Sequence, residues 1–478
     1  MERSKQPVKQ EQLKQRVKQA QSKQRVKQAT PKQRNPRSTD ARDTALELLT
    51  VCRRQNAWAD AAFNSRLQRV PMSDADAALC GRLLYGVTQN RILLDFYLNA
   101  FCTQKVSHMQ EPLADILRLG AYQILFLDRV PDHAAVNEAV KQTVRAGRKP
   151  ASGMVNAVLR RLSREKASLP PVPDTATRYS HPRWLVERVR ALLGEEETER
   201  FLSENNRIPP LTVQVNPERT SAEALLSELS ESGVDAARHS WVPDCLELFG
   251  SGAVTRLASF RAGKFYVQDA AARLVTDIAG ITSGASVLDV CAAPGGKTFG
   301  AALRVGDTGS VLACDVNANK LPRIRDGAER LGLAARIRTE QADARDFHPD
   351  WEAKFDVVLV DAPCSGLGII RKKPDIRYRD PEPLSALPGL QYAILDNASR
   401  YVAPGGTLVY STCTVLPEEN EGVTDRFLSG HPDFRRVPFS DTPGQVALSA
   451  VGDTPGQVTL WPQRDHTDGF YICRMGKA

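Results

Sequence analysis

The chain has 478 residues, of which 42% are hydrophobic and 25% are charged. One hydrophobic core rarely supports a chain of this length, so the sequence predicts two to four domains and excludes wholesale disorder. It contains no run of 18 apolar residues and no apolar block within the first 30 residues, which argues against a membrane protein or a secreted one and favours a cytoplasmic protein. Nine cysteines without a CxxC pair or a Cys/His cluster indicate a reducing compartment and no metal site.

The excess positive charge is concentrated at the N-terminus. Residues 1–37 contain 12 Lys and Arg against two acids, Glu2 and Glu11, whereas the rest of the chain holds 52 basic and 54 acidic residues. KQRVKQA occurs twice in this segment, which has too few apolar residues to bury a face. The sequence therefore predicts a disordered basic tail. Such a tail either binds a polyanion or merely keeps the protein soluble.

Residues 38–166 have the periodicity of helices. The apolar positions between Leu113 and Ile124 follow i, i+3, i+4, i+7 spacing and form one stripe, which is typical of an all-α bundle. Two segments of this region, VPDHAAVNEAV at 130–140 and GMVNAVLRRL at 153–162, resemble the NusB fold, a helical RNA-binding module. Within them Asn137, Asn156 and Arg160 either contact RNA or serve as helix-capping and solvated residues.

A proline-rich joint, LPPVPD at 169–174, separates the bundle from a short mixed segment. Residues 175–264 contain candidate strands at 211–215 and 246–249 and a candidate helix at 223–229. We expect a small α/β RNA-binding segment of ferredoxin-like or RRM-like type that packs against the next domain. No aromatic RNP1 signature is present, so a base-stacking platform is not predicted.

Residues 265–478 alternate buried strands with helices. Candidate strands at 287–290, 311–314, 355–360 and 407–411 are apolar at nearly every position, which suits strands that are covered on both faces. A helix at 321–331 follows the second of them. The pattern predicts a doubly wound, Rossmann-like parallel sheet. DTPGQV, at 441–446 and again at 453–458, marks a loop or hairpin insertion.

A turn of small residues follows the first strand of this domain. Its sequence, CAAPGGKT at 291–298, contains a GKT tripeptide but has Cys291 where a phosphate-binding loop needs glycine. The dinucleotide fingerprint GxGxxG is not matched either. The turn therefore predicts close approach of a ligand to the backbone, without a nucleotide phosphate.

Three acids follow the next strands: Asp315 in VLACD, Asp343 in TEQAD and Asp361 in VVLVD. Ligands of open α/β sheets bind at the carboxyl ends of the strands, so we expect all three acids to face one crevice. Asp315 lies about 20 residues beyond the glycines, the spacing at which an acid meets ribose hydroxyls. Each acid alone could be a helix cap or a turn former.

Two cysteines belong to the same edge, Cys364 in DAPCSG and Cys413 in YSTCT. The series CAAPGGKT, DAPCSG, YSTCT resembles the RNA cytosine-C5 methyltransferases that use S-adenosylmethionine. The NusB-like front end places the resemblance with the RsmB (Sun, Fmu) group, which modifies 16S ribosomal RNA. It covers about residues 40–478. YVQDAAARL, IIRKKPDIRYR and DGFYICR are secondary matches.

The resemblance implies a cofactor, a partner and a set of roles. The cofactor is S-adenosylmethionine, the partner is 16S ribosomal RNA, and a monomer without membrane or metal is expected. Cys413 is the nucleophile that adds to C6 of cytosine, Cys364 assists release of the product, and Asp361 holds a proton near N3 of the base. The predicted cofactor-binding residues are Cys291, Ala292, Ala293, Pro294, Gly295, Gly296, Lys297, Asp315, Asp343 and Asp361.

Two details and two competing functions stay open in the sequence, and the presence of Cys413 argues against a third. Gln214 occupies a position where the family commonly has arginine, and the basic run Arg371, Lys372, Lys373, Arg377 and Arg379 is expected to contact phosphates. A DNA-type cytosine methyltransferase would use Cys364 as the nucleophile and lack Cys413. The two remaining possibilities are a tRNA methyltransferase of the same chemistry and a non-catalytic RNA-binding or antitermination factor.

Overall fold

The computed structural model describes residues 40–439 and 455–478. The predictions for the tail at 1–37 and for the first DTPGQV copy lie outside these residues. Within the described residues, no helix combines the length and the apolarity needed to cross a membrane.

The N-terminal domain is a helical bundle, as its periodicity predicts. Gly86 allows two of its helices to pack closely, because a Cβ there would overlap the Tyr122 ring. Leu83, Leu94 and Leu117 are fully buried in its core. The helices are α1 (Ala41–Gln55), α2 (Ala59–Arg69), α3 (Asp74–Gln89), α4 (Arg91–Asn99), α5 (Leu113–Phe126), α6 (Asp132–Arg145) and α7 (Ser152–Glu165).

Two helices connect the bundle to the rest of the chain, α8 (Thr175–Arg178) and α9 (Arg183–Glu204). The longer one is interrupted at Gly194, whose φ is 76°. Its apolar residues, such as Leu185 and Phe201, share a core with Leu367 and Leu416 of the C-terminal domain. The connection is therefore packed against the region that contains DAPCSG and YSTCT.

The small domain is an antiparallel sheet with strand order β2-β3-β1-β4. Its elements are β1 (Leu211–Val215), α10 (Ala222–Glu231), β2 (Asp235–Arg238), β3 (Cys245–Phe249), α11 (Ala258–Arg261) and β4 (Phe265–Val267). The last strand pairs with β1 through Val213 and Val267. The small sheet thus extends three residues beyond the boundary expected at 264.

The C-terminal domain contains an eight-stranded sheet with helices on both faces. Strand order is β10-β12-β9-β8-β5-β6-β7, with β11 paired to β12. Strands β5 to β9 are mutually parallel, whereas β10, β11 and β12 pair antiparallel. The strands are β5 (Ser286–Asp289), β6 (Ser310–Asp315), β7 (Ile337–Gln341), β8 (Phe355–Asp361), β9 (Val402–Thr412), β10 (Phe434–Arg436), β11 (Gln457–Leu460) and β12 (Phe470–Lys477). The helices are α12 (Ala270–Ile278), α13 (Gly296–Val305), α14 (Leu321–Leu331), α15 (Leu387–Ser399), α16 (Glu421–Gly430) and α17 (Pro462–Asp465).

The strand register brings the acids at the strand ends to one edge. Asp289 lies opposite Leu359, and Asp361 lies opposite Ser411. Because β5, β6, β8 and β9 are parallel neighbours, their carboxyl ends open on the same side of the sheet. The predicted Rossmann-like architecture, with its helical and ferredoxin-like partners, is confirmed.

Candidate active site

The small-residue turn connects β5 to α13 at the edge where the acids meet. The Ala292 amide donates a hydrogen bond to the Cys314 carbonyl at 2.8 Å, and the Gly295 amide donates one to the Ala292 carbonyl at 2.8 Å. Gly295 has φ of 113°, and a Cβ there would lie 2.7 Å from the Phe299 ring. The turn therefore requires glycine and leaves backbone accessible to a ligand. Cys291 lies at its start, where burial raises the pKa of its thiol.

The other predicted residues of the turn differ in their surroundings. Ala292 is buried, whereas Ala293 and Pro294, which are joined by a cis peptide bond, are less so. A Cβ at Gly296 would come within 3.0 Å of the Gln268 amide. Lys297 points away from solvent and pairs with Asp361, with 2.8 Å between Nζ and Oδ2.

Asp315 and Asp343 lie at the carboxyl ends of the neighbouring strands β6 and β7, but their carboxylates have different surroundings. Asp315 ends β6, accepts a hydrogen bond from the Asn317 amide at 2.9 Å and is buried. Asp343 lies two residues beyond β7 and is bound by Arg345, whose hydrogen bonds lower the pKa of Asp343 to about 2. Both carboxylates have a cationic neighbour: Arg345 binds Asp343 through two hydrogen bonds, whereas Lys320 lies 3.5 Å from Asp315 and makes no hydrogen bond to it.

Asp289, the last residue of β5, is an additional acid of this site. Its Oδ2 accepts a hydrogen bond from the Thr298 hydroxyl at 2.8 Å, while its buried Oδ1 has no hydrogen-bond partner among the described residues. Burial raises the pKa of Asp289 to about 7. The rule that pointed to Asp315 and Asp361, an acid at the end of a buried strand, would also have found this residue.

These features fit S-adenosylmethionine, which carries a ribose diol, an amino group and a positively charged sulfonium. The turn at Gly295 and Gly296 forms a cradle that any Cβ would obstruct. The Oδ1 atom of Asp289, which no described residue engages, and the Asp315 carboxylate supply acceptors at the same edge. Carboxylates also suit a cationic ligand electrostatically.

The two predicted thiols meet at this edge. Cys364 follows β8, Cys413 follows β9, and their Sγ atoms are 3.3 Å apart. The loops are also joined by the hydroxyls of Ser365 and Thr414, 2.7 Å apart. The hydrogen bond with Cys413, together with burial, raises the pKa of Cys364 well above that of an ordinary thiol.

Asp361 is held from two sides, by Lys297 and by Ser411, whose hydroxyl donates to Oδ1 at 3.0 Å. The Lys297 ammonium also lies 5.1 Å from the centre of the Phe470 ring, in the segment DGFYICR. Backbone hydrogen bonds of two glycines connect this segment to the loop of Cys413. The Gly469 amide donates to the Gly368 carbonyl at 2.9 Å, and the Gly368 amide donates to the Cys413 carbonyl at 3.0 Å. The secondary match DGFYICR thus borders the same crevice.

The expectation of phosphate contacts by the basic run is wrong for its buried members. Arg371, which is buried, and Lys372, whose side chain is 29% exposed, form a charge cluster with Asp269 and Asp468. In this cluster Lys372 Nζ lies 2.5 Å from Asp269 and 2.7 Å from Asp468. Arg377 is fully buried and donates to carbonyl groups of Gln89, Ser180 and Asn205.

The remaining members of the run are also engaged within the chain. Arg379 stacks on Trp58 at 3.9 Å, and Lys373 lies 3.3 Å from Asp60. Arg377, Arg379 and Lys373 therefore connect the C-terminal domain to the helical domain. Their partners are distant in sequence, so the position of the run in the chain does not reveal them. Gln214 is likewise fully buried, donating to the Gln268 carbonyl at 3.0 Å.

Within the part of the chain that the structure describes, no group of three or more His, Cys, Asp or Glu side chains could hold a metal ion.

Comparisons with known families match each of the three domains. The NusB family matches residues 39–164, the ferredoxin-like domain of RsmF/B-like methyltransferases matches 181–255, and the 16S rRNA methyltransferase RsmB/F family matches 280–476.

Similar proteins span nearly the whole chain. Probable ribosomal RNA small subunit methyltransferase B of Synechocystis sp. is 36% identical over 447 residues, which is 92% of this chain and 99% of the relative. The protein of the same description from Bacillus subtilis is 35% identical over 455 residues, with coverage of 92% and 99%. The crystal structure of PH0851 superposes with a TM-score of 0.77 at 26% identity and covers 92% of this chain and 99% of that one. A methyltransferase homologue from Pyrococcus horikoshii gives a TM-score of 0.54 at 27% identity, with coverage of 64% and 98%.

The fold and the crevice at the carboxyl edge define an S-adenosylmethionine-dependent methyltransferase. With relatives of this identity and coverage, the chain belongs to the 16S rRNA methyltransferase RsmB/F family. The resemblance that its motifs indicate is thereby confirmed.

Proposed function

We propose that the protein methylates C5 of a cytosine in 16S ribosomal RNA through a covalent adduct between Cys413 and C6 of the base. The observation that carries this proposal is the pair of thiols 3.3 Å apart beside Asp361, at the cofactor edge of the sheet. Methylation of an oxygen or an amino group needs no thiol, whereas C5 of cytosine is too weak a nucleophile to react unaided. Addition of a thiolate at C6 turns C5 into an enamine-like carbon.

The two thiols have different roles in this proposal. The raised pKa of Cys364 keeps this thiol protonated near neutral pH, which makes it a poor nucleophile and leaves its S–H proton in place as a donor. Cys413 is then the group that attacks, with the Cys364 S–H as its partner. This assignment agrees with the family's use of the STC cysteine and opposes the DNA-type arrangement.

Asp361 is proposed to stabilise the cytosine base while Cys413 attacks it. We assign it to N3, where a shared proton relieves the negative charge that builds up as Cys413 adds to C6. Lys297 and Ser411 fix its two oxygens, so the carboxyl group needs no reorganisation when the base arrives. S-adenosylmethionine, when bound by the Gly295 turn with Asp289 and Asp315, supplies the electrophilic methyl group.

The whole chain supports a proposed RNA substrate, oligomeric state and cellular compartment. The NusB-like and ferredoxin-like domains suit a structured RNA, and the names of the relatives support ribosomal RNA over transfer RNA. Every proposed catalytic group comes from one chain, so we propose a monomer. Free thiols require a reducing compartment, in agreement with the cytoplasm.

Bisulfite mapping of RNA from cells with and without the protein tests the substrate. We expect one cytosine of 16S ribosomal RNA to lose its methyl group when the gene is deleted and to regain it on complementation. Loss of methylation only in transfer RNA, or no change in any RNA, would contradict the proposal.

Substitution of each thiol tests the chemistry. Cys413→Ser should abolish methylation without weakening cofactor binding, because a hydroxyl is far less acidic than a thiol. Cys364→Ser should methylate but fail to release, so a covalent protein-RNA adduct should accumulate on denaturing gels. Cys102→Ser, in the helical domain, is the matched control and should behave like wild type. An adduct that forms without Cys413 would reverse the two roles.

A further inference from the structure

Glu419 is a buried carboxylate next to the thiol pair with no part in the proposed catalytic steps. It ends the short helical turn Pro417–Glu419 that follows Cys413, and only 1% of its surface is exposed. Burial of a carboxylate is costly unless hydrogen bonds compensate it. Its partners therefore indicate what the charge is used for.

One oxygen of Glu419 binds the loop that contains Cys364. Oε2 accepts a hydrogen bond from the Ser365 amide at 2.9 Å and another from Gln391 Nε2 at 2.8 Å. The same Gln391 nitrogen donates to the Pro363 carbonyl at 3.0 Å. The residues on both sides of Cys364 are thus fixed by one carboxylate and one amide, both of which are buried.

The other oxygen of Glu419 takes no part in this brace. Oε1 is buried and has no hydrogen-bond partner among the described residues. The brace does not need this second oxygen, since Oε2 alone accepts both hydrogen bonds. A neutral amide could supply one accepting oxygen equally well, so a glutamine at this position separates the hydrogen bonds of the brace from the effect of the carboxylate.

We propose that Glu419 is a positioning residue for Cys364: its hydrogen bonds hold the loop so that this thiol faces Cys413. The carboxylate also disfavours ionisation of the neighbouring thiol. This role rests on the proposed cytosine methyltransferase function. As a protonated thiol, Cys364 can donate a hydrogen bond to the Cys413 sulfur when the adduct breaks. The C5–H electron pair forms the C5–C6 double bond, the C5 proton passes to water, and the Cys413–C6 pair leaves with sulfur.

The electrostatics of the edge agree with this role. The charge of Glu419 adds to the hydrogen bond with Cys413 and to burial in raising the pKa of Cys364. The titratable groups near the thiol pair include Tyr410 on β9, whose own pKa burial raises, and Asp361 with its partner Lys297. Cys291, Asp289 and Asp315 lie farther along the same edge. Tyr410 donates its hydroxyl proton to the Glu419 carbonyl at 2.6 Å, which fixes the backbone of the same turn.

The first experiment measures thiol reactivity without RNA. In full-length protein carrying Cys413→Ser, the rate at which iodoacetamide alkylates Cys364 is followed by peptide mass spectrometry from pH 7 to 10. Adding Glu419→Gln should raise that rate at pH 9 severalfold, because the rate follows the thiolate fraction. Glu418→Gln is the matched control, since that neighbour is exposed and pairs with Arg188. Identical pH profiles for the two glutamine variants would overturn the proposal.

The second experiment measures release with both thiols present. Glu419→Gln should accumulate the protein-RNA adduct, as Cys364→Ser does, whereas Glu418→Gln should not. Failure of Glu419→Gln to accumulate adduct under conditions where Cys364→Ser does would overturn the role in release. If no variant forms adduct, the proposed function fails, and the alkylation profiles still decide whether Glu419 controls Cys364.

A third variant protects the test against simple misfolding. Glu419→Asp keeps the charge but shortens the side chain, so it should lose the hydrogen bond to the Ser365 amide and slow release. Because its charge remains, Cys364 should stay as unreactive at pH 9 as in the parent. Equal gains in reactivity for Glu419→Asp and Glu419→Gln would mean that loosened packing, and not charge, exposes the thiol, and this would overturn the proposal.

Discussion

Asp289 and Asp343 belong to strands of the same sheet but have opposite electrostatic environments. Burial raises the pKa of Asp289 to about 7, whereas hydrogen bonds from Arg345 lower the pKa of Asp343 to about 2. Of these two acids, Asp289 is therefore the one that titrates near physiological pH. An acid held close to neutrality at a cofactor edge is expected where a ligand later supplies the compensating charge.

The raised pKa of Asp289 predicts a pH dependence of stability. Between about pH 4 and pH 7 the folded protein keeps this proton and the unfolded chain loses it, so the stability of the wild type should fall as pH rises through this window. The loss amounts to at most about 4 kcal/mol. Asp289→Asn keeps an acceptor for Thr298 but cannot ionise, so its melting temperature relative to wild type should be higher at pH 8 than at pH 5.

Asp356 is the control of opposite sign. Hydrogen bonds from the Ser286 amide and hydroxyl lower the pKa of this exposed-edge carboxylate. Asp356→Asn should therefore be more harmful at neutral pH than in acid, because the stability that this carboxylate contributes is lost as pH falls through its lowered pKa. If both variants showed the same pH dependence in thermal denaturation, the assignment of a raised pKa to Asp289 would be wrong.

At the scale of single elements, the cofactor edge depends on the turn between β5 and α13. The turn has no side chains at Gly295 and Gly296, and α13 begins directly after Gly295. This arrangement brings backbone amides and the end of β5 to the same place. A shorter or bulkier turn would separate Asp289 from Thr298, whose hydroxyl binds it from the first turn of α13.

Gly295→Ala should damage this turn in two ways. It imposes a side chain at φ of 113°, and its Cβ would meet the Phe299 ring at 2.7 Å. We expect a loss of stability of about 1–3 kcal/mol and weaker binding of S-adenosylmethionine, measured by thermal denaturation and calorimetry.

Gly389→Ala is the matched control for that substitution. Gly389 lies within α15, and a Cβ there would meet nothing within 4 Å. It should be neutral or stabilising by up to about 1 kcal/mol, with unchanged cofactor affinity. Equal affinities for the two alanine variants would show that the turn does not form the cofactor cradle.

At the scale of the whole molecule, Arg377 joins the helical domain to the methyltransferase domain. Its guanidinium donates to carbonyls at the end of α3 (Gln89), between α8 and α9 (Ser180) and at the end of α9 (Asn205). Burial lowers the pKa of Arg377 to about 10, so the group still carries its charge at neutral pH. Three segments that are distant in sequence thus share one cation.

Arg377→Lys should loosen this connection. A single ammonium cannot satisfy carbonyls arranged around a planar guanidinium, and we expect a loss of about 2–4 kcal/mol with faster proteolysis at the joint 169–174. Arg183→Lys, at a position whose side chain is 77% exposed, is the control and should leave both unchanged. Wild-type resistance to limited proteolysis in Arg377→Lys would contradict the role of a domain connector.

The basic tail at 1–37 leads to a separate prediction at this scale. If its 12 basic residues contact phosphates, deleting the tail should flatten the dependence of RNA affinity on salt, by roughly 0.7 to 0.9 log units per lost contact. The methylated cytosine should not change, because phosphate contacts carry no sequence information. Binding of full-length and truncated protein to ribosomal and unrelated RNA over a salt series measures this. Identical slopes would indicate a tail that only improves solubility.

Much of the architecture could be predicted from local patterns. Periodicity predicted the helical bundle, and continuous apolar runs predicted the buried strands β5, β6, β8 and β9. The motifs around Cys291, Asp361 and Cys413 predicted the family, because the chemistry of this site needs particular residue types at particular strand ends. Parallel strands then bring those ends together with no further information.

Tertiary structure alone decided which partners each charged or reactive side chain has. Arg371, Lys372 and Arg377 look like a phosphate-binding run in sequence, but Asp269, Asp468 and the carbonyls of Gln89 and Asn205 engage them from distant segments. Asp289 and Asp343 look equivalent until burial and Arg345 separate their pKa values. The brace of Glu419 and Gln391 on the Cys364 loop has no sequence signature, since it depends on contacts 28 and 54 residues apart. Residue types and spacing determine which chemistry is available, whereas desolvation and long-range pairing determine which groups can perform it.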